Sequence, residues 1–564
     1  MRLGANAGLL LALLAACTGG PEKAGPAARA GQYHGALAAS LRHLDPALME
    51  DHTSSIVGTQ LFDGLVQYRR GTFDVEPALA ERWEVTADQK VWRFFLRKGV
   101  RFHDDPCFPG GRGREVTAAD VVYSFHRLGD AAVGSLGGWI FADKVAGFRE
   151  LAAGTAKSVS GFRVLDDHSL EVELVDVFAP FLHLLTTPYA YVVPREAVEY
   201  YGELFDRHPV GTGPFRLVRW DAASEILLVR HDGYWEKAPD GPEQLPLFSQ
   251  VSFRFLVRPI EMLGEFEARR LDNMEIVAEV EGGVYAPIDG GVPGTDRVLL
   301  PKWQERQVVL VSPRVIGGLY FMAPAQSAAG SLIEGNRDVR LALNWAIDRE
   351  RLIREILGPT ASPAGRVIPP GMDPLPPPQP AFGYDLPRAR QLLASAGYPG
   401  GKGFPPLRLL TSSGITSAIA DFVSSTWAEL GITSTVQVVP WSEQDAAQDS
   451  GRYDMYSMGW SADYPDAENF LRIFYTPSVV GIRYAEPDFR ALFEKALGVL
   501  DTQERYGLYR KAEALILRDA PVAFLYHTRN RDYLQQPWLK GVPISNTGLY
   551  FLKYGWIEAE GMTP

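Results

Sequence analysis

Residues 407–439 read LRLLTSSGITSAIADFVSSTWAELGITSTVQVV, and this stretch indicates the fold class. Leu407–Thr411 has the length and apolar character of a strand, Ile419–Leu430 has helical spacing, and Thr433–Val439 is rich in β-branched residues. A strand, a helix and a second strand in succession predict a β-α-β unit, which implies a parallel sheet. The sequence therefore predicts an α/β protein.

Segments on both sides of this unit mix helix and strand patterns in the same way. Strands are predicted where apolar and polar residues alternate, at Val91–Leu96 and Ser169–Val175. Helices are predicted where apolar residues recur at helical spacing, at Ile56–Leu65, Thr117–Leu128, Asn336–Leu357, Asp385–Gly397 and Gln503–Arg518. The proline-rich stretch Ala364–Pro380 is predicted to be an irregular surface loop. Because the chain has 564 residues and single cores stop growing at about 250–300 residues, we expect two or three lobes.

The amino terminus has the features of an export signal, which we assign to residues 1–16. Leu9–Ala16 is an apolar run that is shorter than the roughly 20 residues needed to span a membrane. The run leads into Cys17, and the sequence LAAC resembles the lipobox of bacterial lipoproteins, in which the cysteine is acylated after cleavage. Residues 17–31 are predicted to form a flexible tether, and the protein is expected on the extracytoplasmic face of the cell envelope. The alternative is an ordinary signal peptide with an incidental cysteine.

Charge and motif content exclude several classes of function. The net charge is −12 and no long basic run occurs, which argues against nucleic acid as a partner. The nucleophile-elbow, zinc-protease, phosphate-loop and paired-cysteine motifs are absent from the sequence. His103, Asp104, Asp105 and Cys107 are chemically capable of binding a metal, but neighbours in a proline-containing turn point in different directions. We therefore predict no metal site, no cofactor and no catalytic residue.

A second group of side chains has two chemical interpretations. Asp463, Asp466 and Glu468 lie within six residues, and a glycosidase needs two carboxylates about 5–10 Å apart. Trp460 and Tyr464 lie among these acids, and aromatic rings beside an acid are also typical of ammonium recognition. Sequence spacing alone leaves both possibilities open.

Eight stretches, in the same order along the chain, resemble the dipeptide- and oligopeptide-binding proteins of ABC importers, the family-five solute-binding proteins. They are LDP at Leu44–Pro46, QLFDGLV at Gln60–Val66, EPALAERWEVTADQKVWRFFLRKGVRFHD at Glu76–Asp104, REVTAADVVYSFHRL at Arg114–Leu128, VGTGPFRLVRW at Val210–Trp220, NRDVRLALNWAIDRERLI at Asn336–Ile353, YDLPRARQLLASAGYPGG at Tyr384–Gly401 and GWSADYPDAENFL at Gly459–Leu471.

The resemblance implies a periplasmic-binding-protein-like fold with three lobes, two of which close over a ligand cleft. Lobe I would comprise residues 32–72, 195–300 and 522–564, lobe II residues 73–194 and lobe III residues 301–521. It also implies a monomer without catalytic residues that delivers peptides to the membrane subunits of an ABC importer.

The same resemblance implies a ligand site in the GWSADY segment. Asp463 would pair with the amino-terminal ammonium group of a peptide, and the backbone around Gly459 and Ser461 would pair with the peptide backbone. Trp460 and Tyr464 would complete the site.

Three alternatives to a peptide transporter stay open. The same class of protein could bind another solute, such as a sugar, haem, an opine or a nickel complex. A secreted glycosidase could use Asp463 with Asp466 or Glu468, and a structural or chaperone-like lipoprotein could have a degenerate cleft.

Two stretches depart from the family pattern. Asp105–Gly113 is longer and richer in glycine than expected, and Leu319–Pro324 lacks the asparagine common in that strand.

Overall fold

The computed structural model describes most of the chain beyond the predicted export signal. It covers residues 31–238, 244–288, 297–313, 317–358, 360–376, 381–412, 414–440, 443–444, 447, 450–476, 480–528, 531–545 and 547–558. The predicted signal peptide, the anchor at Cys17 and all of the predicted tether except Gly31 lie outside these residues.

The described residues form both strands and helices along the whole chain. The strands are β1 (Gln32–Leu37), β2 (Val66–Tyr68), β3 (Val75–Pro77), β4 (Ala80–Val85), β5 (Val91–Leu96), β6 (Phe162–Asp166), β7 (Ser169–Glu173), β8 (Phe215–Asp221), β9 (Glu225–Arg230), β10 (Gln250–Phe255), β11 (Asn273–Ile276), β12 (Tyr285–Pro287), β13 (Arg297–Leu299), β14 (Val309–Val311), β15 (Gly318–Pro324), β16 (Ala361–Pro363), β17 (Leu407–Ser412), β18 (Ser434–Val439), β19 (Met455–Ser461), β20 (Ala523–Thr528), β21 (Asp532–Gln535), β22 (Leu539–Lys540) and β23 (Trp556–Ile557). The helices are α1 (His52–Leu61), α2 (Ala118–Arg127), α3 (Phe148–Ala152), α4 (Phe181–Leu184), α5 (Arg195–Tyr201), α6 (Pro259–Glu267), α7 (Pro301–Glu305), α8 (Ala328–Gly335), α9 (Arg337–Trp345), α10 (Arg349–Leu352), α11 (Leu386–Ser395), α12 (Ile415–Ala428), α13 (Glu468–Tyr475), α14 (Pro487–Leu497) and α15 (Thr502–Asp519).

The largest sheet has six strands in the order β16-β20-β15-β19-β17-β18. Strands β17 and β18 are parallel and α12 joins them, so the predicted β-α-β unit is confirmed, although α12 begins earlier than predicted. β15 is buried on both faces of the sheet. Phe321 packs in the apolar cluster on one face, and the next residue, Met322, packs in the cluster on the other face. We call this sheet and the helices that pack on it, residues 317–528, the sheet lobe.

The segment predicted as one helix, Asn336–Leu357, is divided in the structure. α9 ends at Trp345, and Asp348 then caps α10 by accepting a hydrogen bond from the backbone N–H of Arg351. A π turn at Ile353–Leu357 completes the segment. The prediction of a continuous helix is wrong. In a continuous helix the backbone N–H of Arg351 would donate to a carbonyl one turn earlier, whereas here it donates to the Asp348 side chain, as at the first turn of a new helix.

Asn344 and Arg349, on either side of this break, attach α9 and α10 to β20. The amide nitrogen of Asn344 donates to the carbonyl of Val522, and its oxygen accepts the backbone N–H of Phe524 and a guanidinium N–H of Arg349. Arg349 itself donates to the carbonyl of Phe524. Both side chains are buried, so these polar groups depend on one another for hydrogen bonding.

Two four-stranded sheets come mainly from the amino-terminal half of the chain. Their strand orders are β1-β10-β9-β8 and β4-β5-β7-β6, and a continuous apolar cluster packs between and around them. β5 has the predicted bounds, and β7 begins at Ser169 as predicted. α2 begins with the capping box of Thr117 and Asp120, which confirms the predicted helix start. α1 lies four residues nearer the amino terminus than the predicted helix Ile56–Leu65.

Distant segments of the chain meet in a three-stranded sheet, β11-β21-β14. In this sheet β14 pairs with β21. β15 follows β14 in the chain and β20 precedes β21, and these two strands pair with each other in the six-stranded sheet. β20 lies beyond residue 521, where the resemblance ended lobe III, and still belongs to that sheet. The three-lobe boundaries remain a prediction.

The remaining sequence predictions concern helices and one loop. α11 is capped by Asp385 and α15 spans the predicted late helix, so both helices are confirmed. Residues 364–376, the described part of the proline-rich stretch, contain neither helix nor strand, as predicted. No helix in the described ranges is both long and apolar enough to cross a membrane.

Replacing Asn344 with alanine should destabilise the sheet lobe, because the backbone N–H of Phe524 and the carbonyl of Val522 would lose buried partners. We expect the free energy of unfolding to fall by about 2–4 kcal/mol, measured by denaturant titration with circular dichroism. Gln437→Ala removes an amide from an exposed position of β18 and is the control. Equal stability of the two variants would contradict the role of Asn344.

Candidate functional site

A cleft between the sheet lobe and the rest of the molecule contains a central and a side cavity, and a third cavity inside the lobe adjoins the central one. The central cavity has a volume of about 630 Å³ and is lined by Tyr320 and Ser461 from the sheet lobe and by Glu275 and Asp532 from the other side. The side cavity, of about 250 Å³, is lined by residues of α1 and of the carboxyl-terminal segment, including Thr59 and Lys553.

The third cavity, which we call the sheet pocket, lies within the sheet lobe and has a volume of about 300 Å³. It shares Tyr320, Ser461 and Tyr526 with the central cavity. Asp463 and Thr547 line both the central and the side cavity. The three spaces therefore form one extended site, with Asp463 at the junction of two of them.

Asp463 is positioned by the end of β19 and the start of α13. Its backbone N–H donates to Oδ1 of Asn469, and Nδ2 of Asn469 donates back to its carboxylate, both at 3.3 Å. The same Asn469 oxygen accepts the indole N–H of Trp460 at 2.8 Å. One buried amide thus fixes both Trp460 and Asp463 at the wall of the cleft.

The carboxylate of Asp463 is in an unfavourable electrostatic setting. Its side chain is exposed to the cleft, but protein atoms crowd it on several sides, so it touches water without being fully hydrated. This crowding raises the pKa of Asp463 above its ordinary range, and the nearby charge of Glu468 raises it further. The hydrogen bond from Asn469 and the charge of Arg472 oppose the shift.

The other acids that line the central cavity have basic partners. Glu275 lies 3.6 Å from Arg531, and Asp532 lies 3.1 Å from Arg297. Among the residues that the structure describes, no lysine, arginine or histidine nitrogen lies within 4 Å of the Asp463 carboxylate, whose polar contacts are with Asn469. An ionised Asp463 therefore lacks a counter-charge and is suited to receive one from a ligand.

The edge of β19 beside Asp463 is available over several residues. β19 pairs with β15 along its whole length, from Met455 to Ser461. It pairs with β17 only at Met455 and Tyr456, because β17 then leads away towards α12. Gly459 and Ser461, predicted to contact ligand backbone, lie on the part of β19 that has no second strand partner among the described residues. Such an edge can accept hydrogen bonds from an extended ligand.

Gly459 is also required by the packing of the sheet. A Cβ atom at this position would overlap the ring of Tyr320, which lies directly across from Gly459 on β15. Glycine therefore allows Tyr320 to lie flat over the sheet, where it stacks on Tyr526 at 4.4 Å between ring centroids. The contact between Gly459 and ligand remains a prediction.

Tyr464 differs from the other predicted site residues in its placement. Its side chain is 1% exposed and enters the apolar cluster of the amino-terminal part, with its ring nearly parallel to those of Trp139 and His183. Its hydroxyl donates to the buried carboxylate of Glu468, which also accepts from Arg472. This position favours a role in joining the sheet lobe to residues 139–187, and a direct ligand contact by Tyr464 remains a prediction.

The acids considered for glycoside hydrolysis do not converge on the cleft. Asp466 is 1% exposed and pairs with Arg505 at 3.2 Å, and Glu468 is fully buried. Neither of these two acids lines the three cavities with Asp463. The geometry therefore gives no support to a glycosidase that uses Asp463 with either of them.

The FHDDPC turn holds its side chains with internal hydrogen bonds. His103 and Asp104 contact backbone groups of Gly213 and Gly113, and Asp105 accepts the backbone N–H of Cys107. Within the described ranges, no group of three or more histidine, cysteine or acidic residues is arranged to hold a metal ion. Burial lowers the pKa of His103 to about 3, so its ring is neutral.

Sequence reasoning missed a charged cluster beside the side cavity. The ammonium group of Lys553 donates to Gln67 at 2.7 Å and to Glu236 at 2.6 Å, and Asp63 accepts hydrogen bonds from Thr212 and Trp235 close by. Asp63 lies in the quoted stretch QLFDGLV, which was a usable signal. No sequence signal pointed to Lys553, because its hydrogen-bond partners are hundreds of residues away in the sequence.

The family model and two of the most similar proteins found by sequence are all binding proteins. Residues 74–481 match the family described as "Bacterial extracellular solute-binding proteins, family 5 Middle". The chain is 27% identical over 527 residues to Heme-binding protein A of Haemophilus influenzae, covering 87% of this chain and 88% of that protein. It is 27% identical over 536 residues to Periplasmic oligopeptide-binding protein OppA of Salmonella typhimurium, covering 91% of each.

A solved structure agrees with these matches. The ABC transporter-associated periplasmic binding protein DppA from Helicobacter pylori, in complex with the peptide STSA, superposes with a TM-score of 0.69. It is 26% identical in sequence, and the alignment covers 94% of this chain and 98% of that one. The predicted α/β periplasmic-binding-protein fold is therefore confirmed.

Replacing Tyr464 with alanine should loosen the contact between the sheet lobe and residues 139–187, because the ring between Trp139 and His183 would be lost. We expect faster amide hydrogen exchange in residues 139–142 and 181–187, and unchanged exchange in α9, as measured by mass spectrometry. Tyr464→Phe keeps the ring and loses only the hydroxyl bond to Glu468, so its effect should be smaller. Exchange that is the same in all three proteins would rule out this contact role.

Proposed function

Because the chain belongs to the family 5 extracellular solute-binding proteins of bacteria, we propose that it captures peptides outside the cytoplasm and delivers them to an ABC importer. The family consists of binding proteins, and this chain is a binding protein and not an enzyme. Relatives of similar identity are named for heme and for oligopeptides, so similarity alone does not decide the class of ligand. The proposal of a peptide ligand therefore depends on the geometry of the site.

The observation that carries the proposal is the unpaired carboxylate of Asp463. Removing an ammonium group from water is prohibitive unless it gains a charged or strongly hydrogen-bonding partner. Asp463 offers that partner in the cleft, with no basic side chain competing for it among the described residues. The amino terminus of a peptide supplies the missing positive charge, and a charge-assisted hydrogen bond fixes where the peptide begins.

The free edge of β19 provides the second element of peptide recognition. From Gly459 to Ser461 the strand can exchange backbone hydrogen bonds with an extended ligand that starts at Asp463. Backbone hydrogen bonds are common to all peptides, so they give affinity without requiring a particular side chain. An anionic or purely apolar solute would use neither the free edge nor the carboxylate.

The two walls of the cleft give ligand a means of changing the shape of the protein. A peptide held by the sheet lobe on one wall and by the amino-terminal part on the other stabilises the closed arrangement, which shifts the population towards it. The importer then distinguishes loaded from empty protein by this shape. No covalent chemistry is involved.

We further propose that Cys17 is acylated and anchors the protein to a membrane. Support comes from the apolar run Leu9–Ala16 and the LAAC sequence that ends in Cys17. Two acyl chains make such an anchor stable, whereas a single chain binds only marginally.

Asp463→Asn should weaken peptide binding by at least about thirtyfold, because the ligand ammonium group would lose its charged partner. Isothermal titration calorimetry with trialanine measures the change. N-acetyl-trialanine should bind the unmodified protein as weakly as trialanine binds the variant, since acetylation removes the same charge. Asp421→Asn, at an exposed position of α12 outside the cleft, is the matched control and should bind normally.

The pH dependence of binding gives an independent check on Asp463. The pKa of its free carboxyl is raised, and only the ionised form attracts an ammonium group. Affinity should therefore be constant near neutral pH and fall as the pH drops through that raised pKa, approaching tenfold per pH unit below it. Asp463→Asn should lack this decline. If acetylated and free peptides bind alike at neutral pH, Asp463 does not recognise a peptide amine.

Cys17→Ser should abolish fatty-acid labelling of the protein in cells and release it from the membrane fraction, because the acylated thiol would be missing. Metabolic labelling with a radioactive fatty acid, followed by fractionation, measures both effects. Cys107→Ser is the control, since that half-buried thiol should not be acylated. Labelling that survives in the Cys17 variant would show that the anchor is elsewhere or absent.

A further inference from the structure

The sheet pocket lies between one face of the six-stranded sheet and the first two turns of α12. On the sheet side, Ser457, Gly459 and Ser461 point to the same face because alternate residues of a strand do so. Tyr320 lies on this face opposite Gly459, and on the helix side Thr416 and Ile419 are one turn apart. The pocket opens into the central cavity along the free edge of β19.

Three hydroxyl groups of this pocket, those of Ser412, Thr416 and Ser457, are already hydrogen bonded within the protein. The hydroxyls of Ser412 and Thr416 are 3.0 Å apart, and Thr416 also donates to the carbonyl of Ser412 at 2.7 Å. The hydroxyl of Ser457 donates to Thr411 at 2.8 Å. None of the described residues that line the pocket carries a charge. A charged group entering it would therefore lose water without gaining a partner, which is costly.

The rest of the lining is aromatic or aliphatic. Tyr320 and Tyr526 form a flat wall, with ring planes 3° apart, and Ile419 contributes aliphatic surface. A cavity of about 150 Å³ is large enough to hold benzene, so the roughly 300 Å³ of this pocket accommodates an aromatic side chain. Tyr320, Ser461 and Tyr526 line both the pocket and the central cavity, so the two spaces adjoin beside the free edge of β19.

From this lining we infer that the sheet pocket is a specificity site for one large apolar side chain of the ligand, with aromatic side chains preferred. The inference rests on the proposed function, because it assumes a peptide that begins at Asp463 and follows β19. Side chains of such a strand alternate between the two faces, so one near the amino terminus meets the pocket while its neighbours do not. The protein would thus select peptides by the chemistry of a single position.

The test compares trialanine with the three tripeptides that carry one phenylalanine, at the first, second or third position, by isothermal titration calorimetry. Phenylalanine at one of these positions should raise affinity roughly ten- to hundredfold, as expected for burying an aromatic side chain, and at the other two much less. Glutamate or lysine at the favoured position should bind more weakly than alanine. Equal affinity for trialanine and all three phenylalanine peptides would overturn the inference.

A filled pocket provides the second measurement. Ser457→Leu places an aliphatic side chain in the pocket and leaves Asp463 unchanged, so the preference for phenylalanine should disappear while sensitivity to N-acetylation persists. Thr435→Leu, at an exposed position of β18 in the same sheet, should keep the preference. A phenylalanine preference that survives in a folded Ser457→Leu protein would overturn the inference.

The outcomes separate this inference from the proposed function. If peptides bind through their amine but without a phenylalanine preference, only the role of the sheet pocket is overturned. If no tripeptide binds at all, both the proposed function and the pocket specificity are overturned. If Ser457→Leu fails to fold, the peptide series on the unmodified protein decides the question by itself.

Discussion

Strand β19 is hydrogen bonded to β15 over seven residue pairs but to β17 over only two. A central strand of a sheet normally has partners on both sides, and leaving its backbone groups unpaired is costly unless water or a ligand reaches them. β17 pairs with β19 only as far as Leu410, although it continues beside β18 to Ser412. Beyond Tyr456 the edge of β19 therefore has no second strand partner among the described residues, and the sheet pocket adjoins this edge.

Charge pairing in the central cavity distinguishes Asp463 from the other acids that line it. Most acids there are neutralised within the protein, so they contribute to the architecture and attract ligand charge only weakly. Asp463 is held by an amide instead of a cation, which fixes its geometry without cancelling its charge. The carboxylate proposed to bind ligand therefore differs from the paired ones in its partners and not in its exposure alone.

Local sequence patterns predicted the elements whose structure is determined locally. The β-α-β unit and the capped start of α2 follow from spacing and capping residues over a few turns. The break between α9 and α10 was missed because the apolar spacing continues through it, and only the capping bond of Asp348 reveals it. The extension of the sheet lobe to Thr528 depends on pairing between β20 and β15, about 200 residues apart, which no local pattern encodes.

Of the residues predicted to bind ligand, Asp463 lines the cleft and Tyr464 is buried away from it. Asp463 was identified from its motif, and the structure puts it on the cleft wall. Tyr464 follows Asp463 in the same turn, and an aromatic residue beside an acid resembles a recognition pattern whether it faces ligand or core. Its insertion between Trp139 and His183 depends on how the sheet lobe meets a segment more than 270 residues earlier in the chain.

The sheet lobe is one uninterrupted segment of chain, which has a mechanical consequence. The chain enters it after β14 and leaves it before β21, and those two strands are hydrogen-bonded neighbours, as are β15 and β20 on the lobe side. The two crossings therefore lie side by side. These two crossings are the only covalent connections of the lobe to the rest of the chain, so a rotation of the lobe would leave the ladders of both sheets intact but would separate Tyr464 from Trp139 and His183. The same arrangement brings the two ends of the lobe together. A circular permutation of the chain could therefore convert residues 317–528 from an internal insertion into a terminal domain.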